Sequence, residues 1–332
     1  MKVLGIGNAL LDILFQLEND NTLAQIGIQK GAMDLIEEEK MIVIQQALDG
    51  LSRKEAPGGS VCNTMRAMAC LGAETGYIGK VGTDANGVFY EEALRKAGVT
   101  PHIVRAAGVS GCSTVMISPD GERSMATFLG PAATLSAAEI PATVMSGYDY
   151  IYVEGYLISN EALFLPVLQQ AKQLGLSIAL DLSNFNIVNA FKGLLEEVIP
   201  QYVDVLFSNE SEALAFTGLD AEKAVKKMAE KVDTVVVTLG AKGVFVQRHD
   251  EFVHLKATGT NPVDTTGAGD NFAAGFLYGL TRTQQAPLAS AAQIGSLLAG
   301  HVIETVGSQI PDTIWPSIMT KVDAILTGEK SS

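Results

Sequence analysis

From Tyr148 onward the chain alternates between short apolar runs and longer amphipathic ones. Segments 148–154, 177–182 and 203–207 read as strands, and 161–174 and 188–199 between them read as helices. Strand–helix–strand units of this length close as right-handed crossovers, so the alternation predicts a largely parallel sheet with helices on its faces. The first residues, Lys2-Val3-Leu4-Gly5-Ile6-Gly7, add a short buried strand. Helices are expected over 60–71, stopped by Gly72, and over 84–97, capped by Asp84 and ended by Gly98. Segments 234–239, 243–247 and 252–255 read as a β-meander. Three helices, 270–280, 287–303 and 314–326, finish the chain, the first two rich in the Ala and Gly that permit close packing.

Two stretches depart from this rhythm. Ile13-Leu14-Phe15-Gln16-Leu17 alternates as a half-exposed strand does. Segments 112–118 and 123–129 are β-like runs around Pro119-Asp120-Gly121, a hairpin signal. The expected organisation is a large α/β domain from residues 1–12, 37–100 and 131–332, with a discontinuous β-sheet lid from 13–36 and 101–130. Small sheets beside a nucleotide domain act as lids.

Bulk properties narrow the function. A chain of 332 residues, 47% hydrophobic, has ample material for a buried core. No apolar run is long enough to span a membrane, and the N-terminus reads as a strand rather than a signal peptide. A net charge of −14 argues against a nucleic-acid surface. It leaves room for an anionic nucleotide, whose phosphates Mg²⁺ and backbone donors neutralise locally. Cys62, Cys70 and Cys112 form no CxxC pair, and a reduced, cytoplasmic protein is expected. His102, His249, His254 and His301 lack metal-ligand spacing.

The chemistry concentrates in Asp264-Thr265-Thr266-Gly267-Ala268-Gly269-Asp270-Asn271-Phe272. A small-residue loop opens a hydrophobic helix and places an acid in its first turn. The N–H groups of Gly267, Ala268 and Gly269 can converge on an anion at the positive end of the helix. An acid that accepts a proton beside donors for developing negative charge suits phosphoryl transfer to an alcohol. The plainer alternative is an Asp capping a helix behind a Gly turn.

Other motifs fail on inspection. Gly5-Ile6-Gly7-Asn8-Ala9-Leu10 lacks the third Gly of a dinucleotide fingerprint. Gly79-Lys80-Val81 imitates the end of a P-loop, but Val81 replaces the Ser/Thr and Glu74 the first Gly. There is no HRD or DFG set, and Ser60 and Ser208 sit in no nucleophile elbow.

Taken together, four segments resemble the PfkB (ribokinase-like) carbohydrate kinase family, in the family's order over nearly the whole chain. The first runs from Pro57-Gly58-Gly59-Ser60-Val61-Cys62-Asn63 through Leu71-Gly72 to Gly79-Lys80-Val81-Gly82-Thr83-Asp84-Ala85-Asn86-Gly87. Asn209-Glu210-Ser211-Glu212 is similar to the family's N-x-x-E motif, and Thr238-Leu239-Gly240-Ala241-Lys242-Gly243 to its nucleotide-side turn. The stretch from Asp264 to Phe276 resembles its second signature.

The resemblance implies a three-layer α/β/α domain with a mainly parallel sheet and a small β lid. It implies ATP and Mg²⁺, usually with K⁺, and transfer of the γ-phosphate to a sugar or nucleoside hydroxyl. Asp270 would be the base, with Gly267, Ala268 and Gly269 as the anion hole. Asn209 and Glu212, at i and i+3 on one helix face, would order Mg²⁺ and its waters. Asp12, Gly58, Gly59 and Asn63 would hold the acceptor. Thr238, Gly240 and Gly243 would line the ATP site. Carbonyls near Asp264 and Thr266, with the loop 303–309, would hold the monovalent cation.

Each of these residues also has a structural reading: Asp12 as a turn cap, Asn63 as a satisfied buried amide, Thr238 as a hairpin hydroxyl. Arg123 either reaches phosphate from the lid or is a solvated hairpin arginine. Segments 123–130, 154–157 and 181–184 resemble adenosine-kinase-type members, and Phe128 or Tyr156 would stack on a base or pack in a core. A half-apolar lid face would also admit a homodimer. A catalytically silent sugar- or nucleotide-binding protein on the same fold is the competing reading.

Overall fold

The computed structural model describes residues 1–257, 262–282 and 287–328. In chain order the strands are β1 (Lys2–Ile6), β2 (Leu10–Gln16), β3 (Met33–Leu35), β4 (Arg53–Gly58), β5 (Glu74–Gly82), β6 (Val99–Ala106) and β7 (Cys112–Ile117). They continue with β8 (Arg123–Phe128), β9 (Tyr150–Glu154), β10 (Ser177–Asp181), β11 (Val205–Asn209), β12 (Thr234–Thr238), β13 (Val244–Arg248) and β14 (Glu251–Leu255).

Nine strands form one sheet in the order β14-β13-β12-β11-β10-β9-β1-β5-β6. It is parallel from β6 to β12 and closes with the antiparallel pairs β12–β13 and β13–β14. Its central strands are near-continuous apolar runs because both faces are covered. Helices Ser60–Cys70, Ala268–Leu280 and Pro287–Val302 pack with Phe207, Val236 and Val246 on one face. Helices Phe164–Gln173, Phe185–Tyr202 and Ala221–Ala229 pack with Ile151, Leu180 and Leu206 on the other. This is the expected three-layer α/β/α architecture. The Ala/Gly-rich helices approach closely: a Cβ on Gly275 would stand 2.6 Å from the Ile294 carbonyl oxygen. Among the described residues no helix is long and apolar enough to cross a membrane.

The second sheet has the order β3-β8-β7-β2-β4. Strand β2 explains its placement. Leu11, Ile13 and Phe15 pack with Leu23, Ile26, Met41 and Ile44 of helices Asn21–Ile26 and Glu38–Ala47, while Asp12 and Leu14 turn to the large domain. Those helices of the same chain cover this face of the strand.

Sheet membership departs from the sequence expectation in two places. Strand β4 belongs to the small sheet, although 37–100 was assigned to the large domain. Strand β6 belongs to the large sheet, although 101–130 was assigned to the lid. Both are edge strands, and each carries a proline, Pro57 and Pro101. Edges need no apolar alternation and tolerate proline, so neither announces itself by pattern. The lid also begins earlier, at Leu10, and so includes Asp12.

Candidate active site

Four consecutive parallel strands end in polar residues side by side. Glu154 closes β9, Asp181 closes β10, Asn209 closes β11 and Thr238 closes β12, with Glu154 in register with Asp181 and Asn209 with Thr238. Open α/β sheets bind ligands beyond these carboxyl ends. There a cavity of about 530 Å³ lies under the inner face of the lid, and Asp12, Arg123, Asp181, Asn209, Glu212 and Asp270 are on its wall. A second cavity of about 330 Å³ adjoins it, lined by Gly240, Gly243, Ala268, Ala299 and Ile303 among others. Thr238, Gly269 and Phe272 line both.

Asp270 is the third residue of helix Ala268–Leu280. Its Oδ1 accepts from Ser60 Oγ at 2.7 Å and its Oδ2 from Asn63 Nδ2 at 2.9 Å. Burial raises its pKa, and these two donors pull it back. Asn63 does not face the larger cavity but stands behind Asp270, its own Oδ1 accepting from Ser308 Oγ at 3.0 Å. A positioned carboxylate, not a helix cap, is what this geometry makes: the cap position is Gly267, with φ +74°.

The loop before Asp270 is open on its cavity side. Gly269 would present a Cβ to empty space, whereas a Cβ on Gly267 would stand 2.7 Å from Ser308 Cβ. One expected donor is otherwise engaged: Ala268 N donates to Thr265 O at 3.2 Å. The Gly267 and Gly269 N–H groups have no acceptor among the described residues. Two of the three expected donors are thus unengaged rather than all three, because the chain turns through Ala268 to start the helix.

Arg123 crosses from lid strand β8 to this loop. Its Nη2 lies 2.6 Å from Asp264 Oδ2, and its Nη1 donates to Thr266 Oγ1 at 2.9 Å. Asp264 also accepts from Thr266 N at 3.0 Å and from Gly307 N at 2.5 Å. The alternative of a solvated hairpin arginine falls with these contacts. The Asp264 carboxylate is thus engaged by protein donors.

Asp12 lies on β2 beneath Gly58. A Cβ at Gly58 would come within 2.2 Å of the Asp12 carboxylate, and one at Gly59 (φ +91°) within 2.5 Å of the Asn8 carbonyl oxygen. Only glycine fits either place. Burial first, then the charge of Asp270, pushes the Asp12 carboxyl up to about 7, while Arg123 opposes.

Asn209 and Glu212 meet, though not as two helical residues on one face. Asn209 is the N-cap of helix Glu210–Thr217, its Oδ1 accepting from Glu212 N at 2.9 Å, and Glu212 Oε2 accepts from Asn209 N at 2.8 Å. This capping box aims the Glu212 carboxylate across the strand ends. Burial and the nearby Asp181 raise its pKa. Among the described residues no group of three or more His, Cys, Asp or Glu is arranged to hold a metal. At the smaller cavity Gly240 has φ +55°, and at Gly243 (φ +106°) a Cβ would lie 2.0 Å from the Leu255 carbonyl oxygen.

Sequence reasoning gave no role to several cavity residues. Asp181 Oδ2 accepts from Tyr152 OH at 3.1 Å and its Oδ1 from Ser183 N at 2.7 Å. Ser183 is held at φ +64° by these local bonds. The apolar side chains Leu14, Met33, Val115 and Met125 reach in from the lid, and Phe207 from β11. The period-2 pattern of β2 carried a signal for Leu14; the others followed only from the pairing of strands. Tyr156 lines the cavity, but Phe128 packs in the lid core with Leu11 and Met116.

A three-layer α/β/α domain with a sheet lid over a glycine-opened helix and a buried carboxylate is the architecture of ribokinase-fold sugar and adenosine kinases. A probable sugar kinase from Rhizobium etli superposes with TM-score 0.86 at 31% identity, covering 98% of each chain. The adenosine kinase from Sinorhizobium meliloti does so with TM-score 0.84 at 32% identity, covering 97% of this chain and 98% of that one. Residues 22–315 match the pfkB family carbohydrate kinase, and the chain belongs to that family. An adenosine kinase from Saccharomyces cerevisiae is 30% identical over 92% of this chain and 96% of its own length. Kinases of this family are ATP-dependent phosphotransferases acting on sugars or nucleosides.

Proposed function

We propose that the protein transfers the γ-phosphate of ATP to the primary hydroxyl of a nucleoside. The observation that carries the acceptor choice is the two-part roof of the larger cavity. Asp12 offers a carboxylate matched to vicinal hydroxyls, while Leu14, Met33, Val115 and Met125 beside it offer only apolar contact. A free sugar would leave that second region facing its hydroxyls, whereas a nucleobase fills it with a flat, weakly polar body. Tyr156 and Phe207 on the same wall add aromatic surface.

In this reading Asp12 grips the ribose, with Gly58 and Gly59 leaving room for it. Asp270 takes the proton of the attacking hydroxyl, held in place by Ser60 and Asn63. The Gly267 and Gly269 N–H groups face the charge that develops on the transferred group. Arg123 adds positive charge from the lid and, with the rest of that sheet, keeps water out. ATP lies along the smaller cavity against Thr238, Gly240 and Gly243. Mg²⁺ would neutralise phosphate charge when bound, and Asn209 and Glu212 would hold it through water. The carbonyls of Asp264 and Thr266, which accept no backbone hydrogen bond from the described residues, suit a monovalent cation.

The test is ADP release with adenosine, other nucleosides, ribose and fructose. Adenosine or another nucleoside is expected to exceed the free sugars by at least about 100-fold in kcat/KM, the order by which an apolar pocket discriminates. Equal turnover of ribose or fructose overturns the nucleoside assignment. Binding of ATP and nucleoside with no turnover of any acceptor would establish the silent binding protein instead.

A further inference from the structure

Behind the catalytic loop lies a third cavity, of about 500 Å³, that the phosphotransfer reading does not use. It opens between helices Ser60–Cys70, Ala85–Lys96 and Trp315–Thr327. Asn63 and Ser308, the pair that steadies Asp270, form its inner wall. Arg66 stands beside them and is poorly satisfied. Its one hydrogen bond among the described residues, from Nη1 to the Pro57 carbonyl, is 3.5 Å long. Its Nε is shielded from solvent and has no partner among the described residues. The two acids on the cavity wall, Glu92 and Asp312, form no ion pair with it.

We infer that this cavity is a second small-molecule site, taking a planar carboxylate whose anionic group pairs with Arg66. Three features fix the ligand class. A guanidinium presents its two terminal nitrogens as parallel donors, and a carboxylate matches both at once. Phe89 and Trp315, also on the wall, offer flat apolar surface to the rest of the ligand. Glu92 and Asp312 offset the charges of Arg66 and Lys96, so the wall as a whole is near neutral and does not match the charge of a polyphosphate. The volume falls within the range of small-molecule pockets. The site meets the larger cavity at Ser308 and Gln309, which line both, and its occupant would stand one side chain, Asn63, from Asp270.

The chain has a single tryptophan, Trp315, and it lines this cavity and neither of the other two. Its fluorescence is therefore a local reporter. Sodium benzoate is titrated into the full-length protein with and without saturating adenosine and ATP, and benzamide serves as the uncharged isostere. A saturable change with benzoate is expected, at least tenfold weaker with benzamide and unmoved by adenosine and ATP. Arg66→Gln should abolish it. Arg66→Lys, which keeps the charge but not the paired donors, should weaken it, and circular dichroism checks that both variants fold. Equal response to benzoate and benzamide overturns the inference. So does displacement of benzoate by adenosine, an unchanged response in folded Arg66→Gln, or no saturable change up to tens of millimolar.

Discussion

Replacing Asp270 by asparagine exchanges one oxygen for an amino group, and the surroundings dictate how the new amide must sit. Asn63 cannot turn its oxygen toward position 270, because that oxygen already accepts from Ser308. The amide carbonyl must therefore face Asn63 Nδ2, and the amino group must face Ser60, whose hydroxyl can rotate to accept. Both bonds survive Asp270→Asn as neutral ones, each weakened by about 1 kcal/mol. Against this, the fold no longer has to bury a charge, the largest influence on this carboxyl. The net change in stability should stay within about 1 kcal/mol, a Tm shift of no more than about 4 °C. Loss of a general base costs roughly 10²–10⁴ in rate, or about 3–5 kcal/mol in the barrier. The assay pairs ADP release with thermal melting across pH. A carboxyl whose pKa is raised by folding contributes stability in full at low pH and loses it as pH rises through the raised value. The Tm of Asp270→Asn relative to the parent should therefore climb as pH rises above the ordinary carboxylate value. Turnover within threefold of the parent, or a variant that fails to fold, would refute the reasoning.

Two further perturbations probe the acceptor end. Asp12 titrates at about 7, held down by Arg123, so acceptor KM should fall as pH rises through that value and this carboxyl ionises. Arg123→Gln removes the opposing charge and should move the midpoint to higher pH, read from the pH profile of kcat/KM; an unmoved midpoint counts against the pairing. Gly58→Ala places a methyl 2.2 Å from the Asp12 carboxylate, on a backbone pinned by the 2.9 Å bond from Tyr90 OH to the Gly58 carbonyl. The carboxylate must retreat by about 1 Å, so acceptor KM should rise at least about tenfold with KM for ATP little changed. A proportionate rise in both constants would point to general damage instead.

How much of this was legible before the structure varied by the kind of signal. Buried parallel strands such as β9 to β12 declared themselves as apolar runs, and the helix at Asp270 by its glycine-opened start. Strands β4 and β6 did not, because an edge strand with a proline answers to neither periodicity nor propensity. The two lid helices were missed as well: Glu38–Ala47 buries only Met41 and Ile44 and has almost no amphipathic asymmetry. Within the site, residues fixed by backbone demands were readable: the glycines at 58, 59, 267 and 243 stand where a side chain would collide. The row of strand-end polar groups was readable only in part, since sheet order is a long-range fact. Asp181 is next to Glu154 because β10 pairs with β9, which no local pattern reports. The capping box at Asn209 shows the opposite case: an S/T/D/N-x-x-E spacing was visible, and its local bond is as real as any role toward Mg²⁺.

The lid's strands are drawn from two distant parts of the chain, and this bears on the order in which the molecule comes into being. Strand β2 pairs in parallel with β7, so Asp12 lies opposite Ser113, on the order of a hundred residues later. Arg123 arrives later still, and its partner Asp264 waits for most of the chain to follow. A ribosome that has released the first fifty residues has released Asp12 without the neighbour that holds its strand in place. Pairing of this range is slow, because the loop must close before contacts reward it. The nascent protein thus passes through a stage with β1 and β2 made and Asp12 unplaced, and β2 at that stage offers an unpaired edge. Refolding meets the same requirement: Asp12 is held only once the segment around Ser113 has paired with its strand.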